Sequence, residues 1–230
     1  MDEQDLVLRY PRLWHMAHQG AWPAIRERGL MSSTALLEDY VIQGDQRTRL
    51  ETMRRPESVH IAHPDRLGAI IRDQKPMSDA ALIKCLDAGL TPNQWYALLN
   101  SRTFFWLSRD RIWRLLKARA YRNLPQTVLT IDTASLVAAH RERIWLSPIN
   151  SGSTLFKPQP RGLGTFMRIG DFPFEERSVT RAAANNVVEL LVEHSVPDMA
   201  DHVLAVHEVM NDRLLGEIWR SPDADDNDHP

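Results

Sequence analysis

The period of the hydrophobic positions changes several times along the chain, and each change predicts an element. Leu13 to His18 is a short apolar stretch suited to a strand. Trp22-Pro23 then opens a helix that Gly29 closes, with proline near the first turn and glycine just past the end. Ser78 is placed to cap a helix from Asp79 to Ala88, with Gly89 as terminator, and Thr91-Pro92-Asn93-Gln94 has capping-box spacing for a helix through Leu99. Thr103-Phe104-Phe105-Trp106-Leu107 is rich in strand formers, and Ser108 is placed to cap a helix from Arg109 to about Arg119. Further strands are expected at 127–132, 144–146, 165–169 and 187–192. Strand and helix patterns mix without regular βαβ alternation, which predicts an α+β fold.

Two segments lack periodicity. Ser147 to Gly164 holds three prolines and three glycines, and so long a loop within a compact domain is usually functional or mobile. Ser221 to Pro230 is acidic and has no large apolar residue, so it is expected to be a disordered tail behind a single domain spanning residues 1–220.

A chain of 230 residues with 43% hydrophobic and 25% charged positions has the composition of a globular protein. Its apolar runs are too short for a membrane span and its first residues carry no apolar signal segment, so a cytoplasmic location away from membranes is expected. Cys85 is the only cysteine; it sits among apolar residues, which points to packing rather than redox chemistry. A net charge of −2 gives no global field for nucleic acid. The local exception is Arg102, Arg109, Arg111, Arg114, Lys117, Arg119 and Arg122, opposed within that stretch only by Asp110.

The pairs His15/His18 and His60/His63 have odd spacing, which on strands sends the two rings to opposite faces, so no metal is expected. Gly162-Leu163-Gly164 lacks the third glycine and following helix of a dinucleotide fingerprint, and no nucleophile elbow exists. A lone glutamate in the apolar run Asn186-Val187-Val188-Glu189-Leu190-Leu191-Val192 stands out, because burying an unpaired carboxylate is costly. It faces either solvent at a sheet edge or a cleft.

The stretch Leu13-Trp14-His15-Met16-Ala17-His18 through Gly29-Leu30 resembles the opening strand and helix of ADP-ribosyltransferases, most closely the DarT-type DNA-modifying toxins. The Glu189 strand, leading to Ser195-Val196-Pro197, resembles that family's last motif, and 103–109 is similar to its central aromatic strand. The resemblance implies a bacterial branch of the superfamily with a split antiparallel or mixed sheet flanked by helices, and NAD as a substrate with no metal. It implies Glu189 as the catalytic carboxylate, and His15 and Ala17 against NAD. It also implies one of Phe105 and Trp106 against nicotinamide, and a basic residue among Arg55, Arg72 and Arg109 on the diphosphate. Ala17 and Ala21 replace a threonine and an asparagine usual in the family.

The acceptor stays open between a base of single-stranded DNA or RNA, which the basic and aromatic residues from Trp106 to Arg122 suit, and a protein side chain. An antitoxin-like regulator is a further partner that the resemblance allows. The alternative is a catalytically silent module that holds a nucleotide or partner on the same fold. Transfer of an RNA 2′-phosphate to NAD is disfavoured, because that activity uses basic residues where Glu189 stands.

Overall fold

The computed structural model describes residues 1–179 and 186–230. The chain runs through α1 (Glu3–Arg9), β1 (Arg12–His18), α2 (Trp22–Arg28), β2 (Leu30–Met31), α3 (Ser33–Asp39), α4 (Gly44–Thr52), β3 (Val59–His63), β4 (Arg66–Ile71), α5 (Asp79–Ile83) and α6 (Pro92–Asn100). It continues through β5 (Arg102–Trp106), α7 (Arg109–Leu116), β6 (Gln126–Asp132), α8 (Thr133–His140), β7 (Ile144–Ser147), α9 (Phe174–Ser178), β8 (Glu189–Glu193), β9 (Ser195–Val196), β10 (Val203–Met210) and β11 (Arg213–Arg220). The fold is α+β: a large antiparallel sheet flanked by helices, with two small two-stranded sheets, β2-β9 and β3-β4. Among the described residues no helix is long and apolar enough to cross a membrane.

The large sheet has the order β11-β10-β6-β1-β5-β8-β7. At its centre β6 is buried on both faces apart from Asp132, and pairs with β1 along the whole strand, from Arg12↔Asp132 to His18↔Gln126. On the other side β5 pairs with β8 from Arg102↔Glu193 to Trp106↔Glu189. Between these two ladders the pairing of β1 with β5 is a single position, Trp14↔Trp106. The sheet is therefore two half-sheets that part along β1 and β5.

Alternation places the cores. Leu13 and Ala17 of β1, Phe105 of β5 and Leu190 and Val192 of β8 meet α1, α2 and α8 in one cluster. On the other face Trp14 and Met16 pack on Ile112 and Leu116 of α7, while Leu191 packs on Trp95, Tyr96 and Leu99 of α6. The capping box expected at Thr91 and Gln94 opens α6. A fourth cluster, with Leu37, Tyr40, Leu50, Ile61 and Ile71, joins α3 and α4 to the β3-β4 hairpin.

Three expectations change. The helix from Asp79 ends at Ile83 rather than Ala88, because the chain beyond it pairs with the long loop: Asp87 N donates to Arg161 O and Arg161 N to Cys85 O. Residues 165–169 form no strand and touch β7 through one bridge, Leu146↔Met167. The last ten residues, acidic and without large apolar side chains, fold back on the sheet. Asp228 is 1% exposed and bonds Arg12 at 2.5 Å, Trp14 Nε1 donates to His229 O at 3.3 Å, and Arg109 donates to Asn227 O at 2.6 Å. Specific charge pairing, which composition does not register, orders the tail.

Because Asp228 is buried against a guanidinium, Asp228→Ala should lower the free energy of unfolding by about 2 kcal/mol, the loss of a charge-assisted hydrogen bond. Urea denaturation of the two proteins measures it. No change would mean that the tail contributes nothing to the fold.

Candidate functional site

Glu189 opens β8, directly across from Trp106 on β5 and Ser147 on β7. It is 3% exposed. An ionised carboxylate taken out of water loses several kcal/mol of solvation unless donors replace the water. The donors come from the aperiodic loop after β7: the Ser151 hydroxyl donates to Glu189 Oε2 at 2.6 Å and the Ser151 amide at 3.1 Å. Ser151 is itself fixed through its carbonyl, which accepts from buried Arg161 at 3.0 Å and from Trp95 Nε1 at 3.4 Å. Burial pushes the Glu189 carboxyl up to about 7, against the opposing pull of Ser151, Arg111 and Arg161. The group titrates in the neutral range, where a site carboxylate can act.

His15 stands where the main-chain ladder between β1 and β5 gives out. Its Nδ1 lies 2.8 Å from Phe104 O, and a carbonyl only accepts, so Nδ1 carries the proton and Nε2 presents a lone pair. Burial lowers the His15 pKa to about 4; the Phe104 bond opposes this and the nearby Arg72 charge adds to it. The imidazole is neutral at physiological pH, with one fixed tautomer.

Both side chains line one cleft of about 610 Å³, within the range of small-molecule sites. Of the other residues singled out in the sequence, Ala17, Arg55, Arg72 and Trp106 also line it. Phe105 does not: it is 1% exposed in the core, 5.8 Å ring to ring from His15, so the aromatic surfaces of β5 at the cleft are Phe104 and Trp106. Arg109 lies away from the cleft, over Trp14 at 5.7 Å and bonded to the C-terminal segment. Arg55 is consumed structurally, donating to Leu50 O, Arg72 O and Asn100 Oδ1, and burial lowers its pKa to about 10. Arg72 is the guanidinium of the cleft wall, held by Gln126 Oε1 at 2.8 Å and over Tyr121 at 5.0 Å; burial lowers its pKa.

A second cavity of about 530 Å³ adjoins the first and shares Pro76, Trp106, Leu115, Tyr121 and Asn150 with it. Lys75, Arg111, Arg114 and Arg119 line it, so part of the basic run that begins on α7 faces a hollow next to the cleft. Sequence reasoning missed Ser151, whose only signal was its place in a long loop. It also missed a group on the α8 side of the fold, where ligand atoms of His140, Asp198 and His202 lie within 4.8 Å of one another. His15/His18 and His60/His63 make no such group among the described residues.

The two cleft groups act on stability in opposite directions. Glu189 has its folded pKa raised from 4.5 to about 7, so its contribution is complete below pH 4.5 and is lost as pH rises through 7. His15 has its folded pKa lowered from 6.5 to about 4, so its contribution is complete above pH 6.5 and is lost as pH falls through 4. Glu189→Gln should therefore be more stable than wild type at pH 8, by up to about 3 kcal/mol at 1.36 kcal/mol per pKa unit, with the gain fading towards pH 4.5. Denaturation curves at both pH values test this; a variant less stable than wild type at pH 8 would show that the pocket favours the anion.

No curated protein matches the sequence. One protein family does: the pattern described as "Family of unknown function (DUF7002)" matches residues 11–203, which include both His15 and Glu189 and stop short of β11 and the C-terminal segment. By a match over most of its length, the chain belongs to the DUF7002 family.

Proposed function

We propose that the chain is an ADP-ribosyltransferase that takes NAD as substrate in the cleft between β1, β5 and β8, with Glu189 as its catalytic carboxylate. The observation that carries this reading is that the two end motifs of the sequence meet: His15 and Glu189, 174 positions apart in the chain, line one cavity of cofactor size where the sheet parts. A split sheet is also what the resemblance to this superfamily leads one to expect.

The residues present fit such a dinucleotide. Arg72 offers a planar cation for a diphosphate. The Nε2 lone pair of His15 can accept a bond from a ribose hydroxyl, and the Phe104 and Trp106 rings offer surfaces for nicotinamide. Cleavage of the nicotinamide–ribose bond leaves its electron pair on nicotinamide and builds positive charge on the sugar. A fixed carboxylate beside that sugar stabilises the charge as it develops, more than it stabilises the ground state. Glu189 has the placement for this, and the neutral His15 adds no opposing charge. The acceptor then bonds to the sugar carbon and loses its proton. In this reading the acceptor comes from the second cavity, where Arg114, Arg119, Trp106 and Tyr121 offer charge and rings that suit a nucleic-acid base. Ala17 and Ala21 on the cleft wall favour a second reading, a catalytically silent nucleotide-binding module, since they leave fewer polar groups for the substrate.

Mass spectrometry of NAD hydrolysis and automodification separates the two. Wild type should release nicotinamide, Glu189→Ala should lose at least about 100-fold, and Ser151→Ala should move the acid limb of the rate profile above its wild-type position near or below pH 7. Equal inertness of wild type and Glu189→Ala with oligonucleotide and protein acceptors, alongside NAD binding by calorimetry, would establish the silent module instead.

A further inference from the structure

We propose that His140, Asp198 and His202 form a binding site for one divalent cation of zinc's class, outside the cleft and independent of the reaction assigned to it. His140 ends α8, and Asp198 and His202 lie one helical turn apart in the connection from β9 to β10. Two imidazoles and a carboxylate are the donor set such an ion prefers.

The argument rests on protons. Ser135 Oγ lies 3.3 Å from Asp132 O and 3.1 Å from His202 Nδ1; when its hydroxyl donates to the carbonyl, it accepts from Nδ1–H. In that tautomer Nε2 of His202 carries a lone pair rather than a hydrogen. Nε2 is buried, has no hydrogen-bond partner, and lies 3.3 Å from Asp198 Oδ2. At 3.3 Å the two atoms are close but not aligned for a hydrogen bond, so Nε2 is a buried polar atom without a partner beside a carboxylate, and a cation bound to both would satisfy it. Ligand atoms of a tetrahedral zinc site at about 2.0–2.1 Å stand roughly 3.3 Å apart; His202 Nε2 and Asp198 Oδ2 have this spacing, and His140 Nε2 lies closer, 2.7 Å from Asp198 Oδ1. The bond from Nδ1 of His202 to Ser135 is also the kind of outer contact that orients a metal-binding imidazole.

His140 supplies the third donor by changing tautomer. Its Nε2 is 2.7 Å from Asp198 Oδ1 and carries the hydrogen, because Arg143 donates to Nδ1 at 2.6 Å. When the ion takes Nε2, one proton moves to Nδ1 and Arg143 releases that nitrogen, keeping its bonds to Glu193 O and Ser195 O. The side chain of Asp198 is partly exposed and gives water access to the fourth position. The ion would tie α8 to the connection between β9 and β10.

The test uses untagged full-length protein, stripped with a chelator and titrated with Zn²⁺ alone and with Co²⁺ for its visible spectrum. Wild type is expected to bind one equivalent, with a tetrahedral cobalt band and a higher melting temperature. His202→Gln and Asp198→Asn should each lose at least about 100-fold in affinity, and Arg143→Gln should gain about 10-fold. Circular dichroism of the metal-free variants controls for folding; if a variant is unfolded, the wild-type cobalt spectrum decides alone. No stoichiometric binding by wild type, or binding and spectrum unchanged in His202→Gln, overturns the site. Weaker binding by Arg143→Gln overturns the role of His140.

Discussion

The structure depends on how little β1 and β5 pair. Every other neighbouring pair in the large sheet runs through several register positions, whereas this one has Trp14↔Trp106 alone. Paired throughout, the two strands would leave their main-chain groups satisfied and no room between them. Parted, they need other partners, because buried main-chain groups rarely go unpaired. The His15 ring supplies one by reaching Phe104 O. The opening of the cleft and the placement of its imidazole are thus one event, and the ladder from β5 to β8 brings Glu189 to the same opening.

Inside the cleft, dryness works in two directions. Burial raises an acid and lowers a base, and here it brings Glu189 to about 7 and His15 to about 4. Pairs of titratable groups driven apart by their surroundings mark places where one fold holds two protonation states ready. Above neutral pH the ionised Glu189 works against folding, whereas the neutral His15 does not. The long loop that delivers Ser151 to Glu189 Oε2, with Arg161 and Trp95 behind it, offsets part of that burden. A stretch with no periodicity in the sequence therefore reads in space as the support of the buried acid.

Much of this was legible in the sequence wherever one local rule decided the outcome. The strand at Leu13, the Pro-to-Gly helix after it, the Thr91 capping box and the α+β class follow from spacing alone. Glu189 was visible because a carboxylate in an apolar run requires a compensating partner. What stayed hidden depended on contacts distant in sequence. Nothing at Phe105 distinguishes core from cleft until the sheet divides. Arg109 looks like any cation on a basic helix until Asn227 claims it. The β10-β11 hairpin escaped notice because β11 is largely exposed and its apolar positions do not alternate cleanly. Asp228 was hidden within a composition that argued for disorder.

The acceptor that fixes His15 is a main-chain oxygen, and this sets what point changes can reach. Whatever side chain position 104 carries, proline included, the carbonyl stays, so the proton on Nδ1 is insulated from mutational drift at the partner site. Loss of the tautomer has to come from a shift of β5 itself, through the packing of Phe105 or Trp106, and so the Nε2 lone pair is guarded by the core rather than by any single neighbour.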